Sequence, residues 1–181
     1  MTLRMVKIQA IWYLILFFSV TGYTQTTEFE LKAVALEKIA LFIDWPGNNT
    51  TTSTSPFVIA VLDDPEFGDV IRDVYRNHRI KERVVKVVNL SDISQLTECQ
   101  MLYLPQMKKS ILEKILDRVK KLPVLTVGDT DGYASAGCFI NFFNLDGKLR
   151  FEINQKAMKS TGFNIDYRLL RVARIVDPVN I

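Results

Sequence analysis

Four short apolar runs in the middle of the chain restrict the fold more than any other feature of the sequence. They lie at 57–62 (FVIAVL), 84–88, 101–104 and 124–127. Each is bounded by turn-forming or polar residues, as the buried strands of a parallel sheet are. The segments at 67–76 and 110–120, between these runs, suit helices. Strands that alternate with helices predict a mostly parallel sheet that is covered on both faces.

An antiparallel hairpin follows this alternation. Asp146-Gly147 is a favoured pair for a two-residue type I′ turn, because both turn residues need a positive φ. The flanking segments, 139–145 and 148–153, are rich in aromatic and aliphatic residues, as strands are. Helices are predicted at 155–160 and 166–176. The predicted fold class is α/β, with a mostly parallel central sheet and an antiparallel C-terminal hairpin.

An amphipathic helix precedes the strands, at 28–43. Its apolar residues recur at steps of three and four, which places them on one face of a helix. They are Leu31, Val34, Ala35, Ile39 and Phe42. Charged residues, including Lys32, lie mostly on the opposite face. Pro46 and Gly47 are predicted to end the helix.

The first 24 residues have the organisation of a secretory signal peptide. Arg4 and Lys7 precede an apolar run at 8–20, and small and polar residues follow it, up to a cleavage site before Gln25. The run is shorter than the ~20 apolar residues that span a bilayer. An uncleaved membrane anchor is the alternative, because 21–23 extend the run. We expect an exported protein whose single domain covers 25–181.

Removal of the signal peptide changes the charge of the protein. Without Arg4 and Lys7, the 23 basic residues fall to 21 against 20 acidic ones, and the net charge falls from +3 to +1. A chain this balanced does not indicate a nucleic acid or an anionic membrane as a partner.

The sequence contains no pattern typical of a catalytic or metal-binding site. His78 is the single histidine, and there is no Gly-x-Ser-x-Gly elbow to hold a nucleophile. The eight glycines include no Gly-x-Gly, which argues against a phosphate-binding loop. Cys99 and Cys138 are too few for a four-ligand zinc site. We therefore expect no enzymatic activity, no metal and no cofactor.

Two candidate sites remain. Asp63 and Asp64 follow the first predicted strand, and Gly128 and Asp129 follow the fourth. Because the carboxyl ends of parallel strands meet at one edge, where ligands bind, these four residues are the candidate lining of a small-molecule pocket. Turn formation is the alternative for the aspartates, and the nearby Pro65 and Gly132 favour it.

The second candidate site lies on the predicted last helix. Arg168, Arg171 and Arg174 recur every third residue and would form one basic stripe, suited to an anion or a protein partner. A solvated face with local ion pairs is the alternative, and it is favoured. Trp45 is either an exposed contact residue for the partner or a core side chain, with packing favoured.

The two cysteines leave a further alternative open. Cys99 and Cys138 both lie at the start of predicted strands, and an oxidising compartment would allow them to form a disulfide if their Cα atoms come within ~7 Å. Two buried thiols is the favoured alternative.

Five segments carry a family resemblance when they are taken together. They are the helix closed by Trp45-Pro46 at 28–46, FVIAVLDDPEFG at 57–68, CQMLYLP at 99–105, the stretch from PVLTVGD to FEIN at 123–154, and RLLRVARIV at 168–176. In this order, over nearly the whole mature chain, they resemble the YfiR-like family of periplasmic proteins. Cys138 stands where the family pattern has a glycine, and the cysteines that form disulfides in some members are missing.

The resemblance implies a three-layer α/β sandwich, often dimeric, that acts as a periplasmic repressor. Such a protein binds the periplasmic sensor domain of an inner-membrane diguanylate cyclase and holds it inactive, and an outer-membrane lipoprotein can sequester it. The alternative is a periplasmic small-molecule-binding module that serves a membrane sensor histidine kinase. The first function predicts an exposed apolar patch, and the second predicts a concave pocket.

Overall fold

The computed structural model describes residues 22–47 and 55–177, and for 22–26 it describes the backbone alone. Within these ranges the helices are α1 (Gly22–Leu41), α2 (Pro65–Val74), α3 (Lys109–Val119), α4 (Gln155–Ser160) and α5 (Tyr167–Leu170). The strands are β1 (Ile43–Asp44), β2 (Phe57–Leu62), β3 (Arg79–Ile80), β4 (Arg83–Leu90), β5 (Met101–Leu104), β6 (Leu125–Gly128), β7 (Ile140–Leu145), β8 (Lys148–Ile153), β9 (Asn164–Ile165) and β10 (Arg174–Ile175). Nearly all of the predicted signal peptide lies outside the described residues.

Eight of these strands form one central sheet in the order β10-β8-β7-β6-β5-β2-β4-β3. The neighbours run parallel except in two hairpins, β3–β4 and β7–β8. Strands β1 and β9 form a separate antiparallel pair. The predicted α/β class, with a mostly parallel sheet and a C-terminal hairpin, is confirmed.

The sheet is covered on both faces. Along β2, Phe57, Ile59 and Val61 belong to the core cluster that includes residues of α1 and α2. Ala60 and Leu62 point to the other face and belong to the cluster that includes residues of α3. Because side chains alternate between the two faces of a strand, a nearly continuous apolar run is required here. The three-layer arrangement that the family resemblance implies is confirmed.

The prediction of which α1 residues face the core is partly wrong. Leu31 and Val34 are 53% and 45% exposed, whereas Lys32 is only 5% exposed. Ile39 is buried as predicted, and the helix also buries Ala33, Leu36 and Ala40, which were not predicted. Lys32 can turn inward because two carboxylates receive its ammonium group, and periodicity alone does not reveal such partners.

The predicted end of α1 is also wrong. The helix ends at Leu41, before Pro46, and the buried Ile43 enters strand β1, where it pairs with Ile165. The backbone N–H of Asp166 donates to the Phe42 carbonyl at 2.9 Å and extends this contact. Pairing with a distant strand therefore replaces the last two residues of the predicted helix, which extended to 43.

The predicted helix over 166–176 is wrong in its second half. Helix α5 has four residues, and Arg174 and Ile175 form β10, which pairs in parallel with Glu152 and Ile153 of β8. The Val176 N–H donates to the Ile153 carbonyl at 3.0 Å. Hydrogen bonds to β8 at the edge of the sheet replace the intrahelical ones, so Arg168, Arg171 and Arg174 do not form a helical stripe.

The predicted hairpin turn is confirmed. Asp146 and Gly147 have φ values of 52° and 71°, as a type I′ turn requires. A second turn of this kind joins β3 to β4. It contains no glycine, and its two residues, Lys81 and Glu82, have φ values of 49° and 63°. The local sequence does not predict this hairpin, since neither lysine nor glutamate favours positive φ.

Candidate functional site

The carboxyl ends of β2, β4, β5 and β6 meet at one edge of the sheet, where the candidate ligand pocket was placed. At this edge Asp129 accepts hydrogen bonds through its Oδ2 atom from Lys32 Nζ and from the Tyr103 hydroxyl, both at 2.6 Å. Lys32 also pairs with Glu28, with 2.7 Å between Nζ and Oε1. Asp129 is therefore committed to a contact that ties α1 to the sheet.

The surroundings of this cluster change the ionisation of its members. Burial disfavours the charged form of Lys32, but hydrogen bonds to Asp129 and Glu28 outweigh burial and raise its pKa above the ordinary lysine value. Burial raises the pKa of Tyr103, and the charge of Asp129 raises it further. Lys32 is thus a stable cation and Tyr103 a neutral hydrogen-bond donor, an arrangement that holds structure together.

The two aspartates after β2 have different roles. Asp64 caps α2, because its Oδ1 atom accepts a hydrogen bond from the Phe67 N–H at 3.0 Å. Asp63 is exposed and has a φ of 48°, a left-handed backbone conformation that aspartate tolerates where a chain bends. The turn-forming alternative therefore describes the local geometry of both residues.

Two grooves lie at this edge. One of about 370 Å³ is lined by Asp63, Asp92, Lys114 and Arg118 above apolar side chains such as Ile93 and Ile115. The other, of about 360 Å³, has walls that include Met107, Leu112 and Tyr133. Of the four predicted pocket residues, Asp63 lines the first groove. The carboxyl edge is thus concave, although the side chains of Asp64 and Asp129 are engaged within the protein.

Gly128 is required by packing at the same edge. A Cβ atom at this position would lie 2.5 Å from Cδ2 of Tyr133, which is too close for any side chain. The Tyr133 ring is fixed there, because its hydroxyl donates to the Pro105 carbonyl at 2.9 Å and accepts from the Met107 N–H at 2.8 Å. Gly128 therefore has a packing role, against the Tyr133 ring that lines the second groove.

The three candidate arginines have different surroundings. Arg168 pairs with Asp166, whose pKa falls to about 2 because the Arg168 side chain donates hydrogen bonds to its carboxylate. Arg174 donates from Nε to the largely buried Glu152 at 2.9 Å, and its guanidinium lies 3.9 Å from the centre of the Phe143 ring. Arg171 is exposed, and its side chain has no hydrogen-bond or ion-pair partner in the part of the chain that the structure describes. Arg171 is thus the arginine that is available to a partner.

Exposed apolar side chains lie next to Arg171. Tyr167, Val172 and Ile175 are 67%, 64% and 45% exposed. They belong to the same short segment, 167–175, which crosses from α5 to the edge strand β10. We refer to Tyr167, Arg171, Val172 and Ile175 as the C-terminal surface.

Trp45 is a core side chain. It is 7% exposed, its Nε1–H donates to the Gln100 carbonyl at 2.9 Å, and its ring packs edge-on against Phe57 and Phe163. The packing alternative therefore describes its position. Its remaining exposed edge lines a groove of about 550 Å³ at the amino end of β5.

Cys99 and Cys138 are both free, buried thiols. Cys99 precedes β5 and Cys138 precedes β7, and β6 lies between these strands. Two strand spacings amount to roughly 9 to 10 Å, beyond the reach of a disulfide. Burial raises the pKa of each thiol to about 12, so neither is a nucleophile at neutral pH.

Lys32 and Tyr103 are the members of this cluster that the sequence pattern did not predict. The signal for Lys32 was present, because Glu28 lies four residues before it and the apolar Phe29, Ala33 and Leu36 surround it on the helix. Tyr103 lies inside an apolar strand, and nothing local indicates that its hydroxyl has a partner 26 positions away.

Two further properties concern residues 22–47 and 55–177 alone. No cluster of three or more His, Cys, Asp or Glu side chains there could hold a metal ion. None of the helices in these ranges combines the length and the apolar character that crossing a membrane demands.

Comparisons with known proteins agree with this fold. A solved structure described as a conserved domain protein from Vibrio cholerae O1 biovar eltor str. N16961 aligns with a TM-score of 0.56 and 13% identity, over 81% of this chain and 59% of that one. The present chain thus spans 59% of the length of that protein, and at this identity the likeness shows the fold alone. No curated protein matches the chain.

The family model described as YfiR/HmsC-like matches residues 29–174, from α1 to the start of β10. The chain therefore belongs to the YfiR/HmsC-like family.

Proposed function

We propose that this protein is a non-enzymatic periplasmic regulator that binds the sensor domain of an inner-membrane diguanylate cyclase and represses the enzyme, which lowers cyclic di-GMP signalling. Family membership over residues 29–174 is the observation that carries the proposal, because YfiR-like proteins form a regulatory, periplasmic family without catalytic activity. Removal of residues 1–24 on export, leaving one domain at 25–181, is part of the same proposal.

The C-terminal surface is the proposed contact with the cyclase. It combines exposed apolar area at Tyr167 and Val172 with the guanidinium of Arg171, which has no partner among the described residues. Aromatic residues and arginine are the side chains that contribute most at protein interfaces. Arg168 and Arg174, which are engaged in ion pairs, would hold this segment in position for the partner.

The experiment compares cyclic di-GMP in the native host with and without the gene. We expect the level to rise on deletion and to return when the wild-type protein is expressed. The Arg171→Glu variant should fail to restore the low level, because a cation at the interface becomes an anion. Lys121→Glu, a charge reversal at an exposed turn residue just after α3, should restore it. Pull-down of the cyclase from host membranes with both variants checks that binding is the step that is lost.

Different outcomes test the contact surface and the identity of the client. Full repression by Arg171→Glu would reject the C-terminal surface as the contact. An unchanged level of cyclic di-GMP on deletion would reject a diguanylate cyclase as the client.

Two further partners belong to this proposal. An outer-membrane lipoprotein would relieve repression by sequestering the regulator, and a second copy of the chain would form a homodimer. Both are supported by the family resemblance, which implies these assemblies.

A second candidate function is a periplasmic small-molecule-binding module that serves a membrane sensor histidine kinase. The two grooves at the carboxyl edge of the sheet favour it, because this is where ligands bind in parallel α/β folds. If deletion leaves cyclic di-GMP unchanged, a screen of small molecules by thermal shift becomes the deciding measurement, and a compound that raises the Tm would support the module.

A further inference from the structure

Strand β4 has an open edge. It pairs with β2 along Val85 to Leu90 on one side, whereas on the other side β3 covers it at Val84 and Arg83 alone. No other described strand pairs with β4 beyond that point. About five residues of backbone are therefore available at this end of the sheet.

The direction of the free backbone groups follows from one hydrogen bond. The Leu90 carbonyl accepts from the Asp63 N–H at 2.7 Å, so Leu90 points its backbone groups toward the β2 side. Successive residues of a strand point their N–H and C=O groups to opposite sides. Val85, Val87 and Asn89 therefore point theirs away from β2, toward the open edge. Arg83 has the same parity and pairs with β3 on that side, which agrees with this assignment.

The side chains along the open edge of β4 are positively charged or neutral. Lys86 is exposed and has no partner in the described chain, and the apolar Val84 and Val88 lie beside it on the same face. The run from Arg83 to Asn89 contains two basic residues and no acid. An incoming strand would therefore meet an uncompensated cation between two valines.

The positive charge of Lys86 also favours some strands over others as partners for the open edge. A second copy paired across a two-fold axis would bring the two Lys86 side chains to one face of the junction, with no acid on either strand to separate them. Like charges on adjoining strands are unfavourable, and lysine on an edge strand is a known deterrent to unspecific pairing. An extended segment with an acidic residue opposite Lys86 turns the same side chain into a favourable contact.

We propose that the open edge of β4 binds an extended, acidic segment of a partner protein by β-strand addition. The N–H and C=O groups of Val85, Val87 and Asn89 supply the hydrogen bonds, and Lys86 selects for an acid. The inference goes beyond the proposed function, because it concerns the opposite edge of the sheet from the C-terminal surface and does not depend on the identity of the client.

The test uses the mature protein and three synthetic peptides. Each has nine residues that alternate threonine and valine, and the central residue is glutamate, lysine or proline. In an NMR titration of ¹⁵N-labelled protein, we expect the glutamate peptide to shift the amide resonances of Val85, Val87 and Asn89. It should bind roughly tenfold more tightly than the lysine peptide, because opposite charges across two strands attract and like charges repel. The proline peptide should not bind, since it cannot extend the sheet.

Two variants make the test specific. Lys86→Glu should reverse the preference, so that the lysine peptide binds more tightly than the glutamate peptide. Val87→Pro should abolish binding of both peptides while the amide resonances of β5 and β6 stay unchanged, because it removes one outward N–H and no hydrogen bond to β2. The Lys86→Glu result stands on its own if Val87→Pro does not fold.

Three results would overturn the inference. They are equal binding of the glutamate and lysine peptides, shifts confined to other residues, and slow hydrogen exchange of the Val85, Val87 and Asn89 amides in the free protein, which would mean that the chain already covers this edge. Loss of peptide binding in a Val87→Pro variant that still represses in the host would leave the proposed function intact and separate the two surfaces.

Discussion

Lys32 and Asp129 join the first helix to the end of β6 through a largely buried ion pair, to which the Tyr103 hydroxyl also contributes. An ion pair of this kind is expensive to break, because removal of one member leaves the other charge buried without a partner. The ammonium group of Lys32 thus fixes the position of α1 over the sheet.

We expect Lys32→Met to lower the free energy of unfolding by about 2 to 3 kcal/mol, since Asp129 would lose its cation in a largely buried position. Lys38→Met, on the exposed side of the same helix, should change it by no more than about 0.5 kcal/mol. Urea unfolding monitored by tryptophan fluorescence measures both. A cost for Lys32→Met no larger than for Lys38→Met would show that the pair contributes no net stability.

The local sequence predicts well where burial and turn chemistry decide the structure. FVIAVL at 57–62 and the Asp146-Gly147 turn are found as predicted, because a doubly buried strand and a type I′ turn each depend on the residues that form them. The position of Lys32 could not be predicted, since its acceptor lies 97 residues away. The same holds for the candidate site. The sequence predicts that Asp129 lies at the carboxyl edge of the sheet, but it does not reveal the contacts of Asp129 with Lys32 and Tyr103.

Among the elements, the two-residue strands are the ones that the sequence does not reveal. Ile43–Asp44 and Arg174–Ile175 have no strand pattern of their own, and their conformation comes from Ile165 and from β8. The arginine spacing over 168–174 is that of a helix, and α5 does begin there. The helix ends after a single turn, because the residues that follow it pair with β8.

Strand β6 and the loop that follows it approach each other closely at Gly128. Gly128→Ala should destabilise the protein by about 1 to 3 kcal/mol, because the added Cβ overlaps the Tyr133 ring, which is held by two hydrogen bonds. The overlap disappears when the ring is removed. In a double-mutant cycle, Gly128→Ala should therefore cost much less in a Tyr133→Ala background, and equal costs would contradict the assigned contact.

For the whole molecule, the strand order predicts how stability is distributed. Strands β2, β5 and β6 lie between neighbours on both sides and have apolar cores above and below them, whereas β3 and β10 are two-residue strands at the edges. Regions with few buried contacts open without global unfolding.

Hydrogen exchange followed by mass spectrometry tests this distribution. Amides of β2, β5 and β6 should exchange only through global unfolding, so that urea accelerates them with the full equilibrium m-value. Peptides covering β3 and β10 should exchange several orders of magnitude faster, with little dependence on urea. Equal protection of β10 and β5 would show that the C-terminal surface is as rigid as the core.

The short β1–β9 pair joins Asp44 to Asn164, which are 120 positions apart in the chain. Closing so long a loop is entropically costly, and contacts between distant residues slow folding. Trp45, the residue after β1, packs against Phe163, the residue before β9, so one side of the core is completed by the two ends of the fold together. The core therefore stays incompletely packed in any chain that ends before Phe163, and such a truncated chain should depend on chaperones to stay soluble.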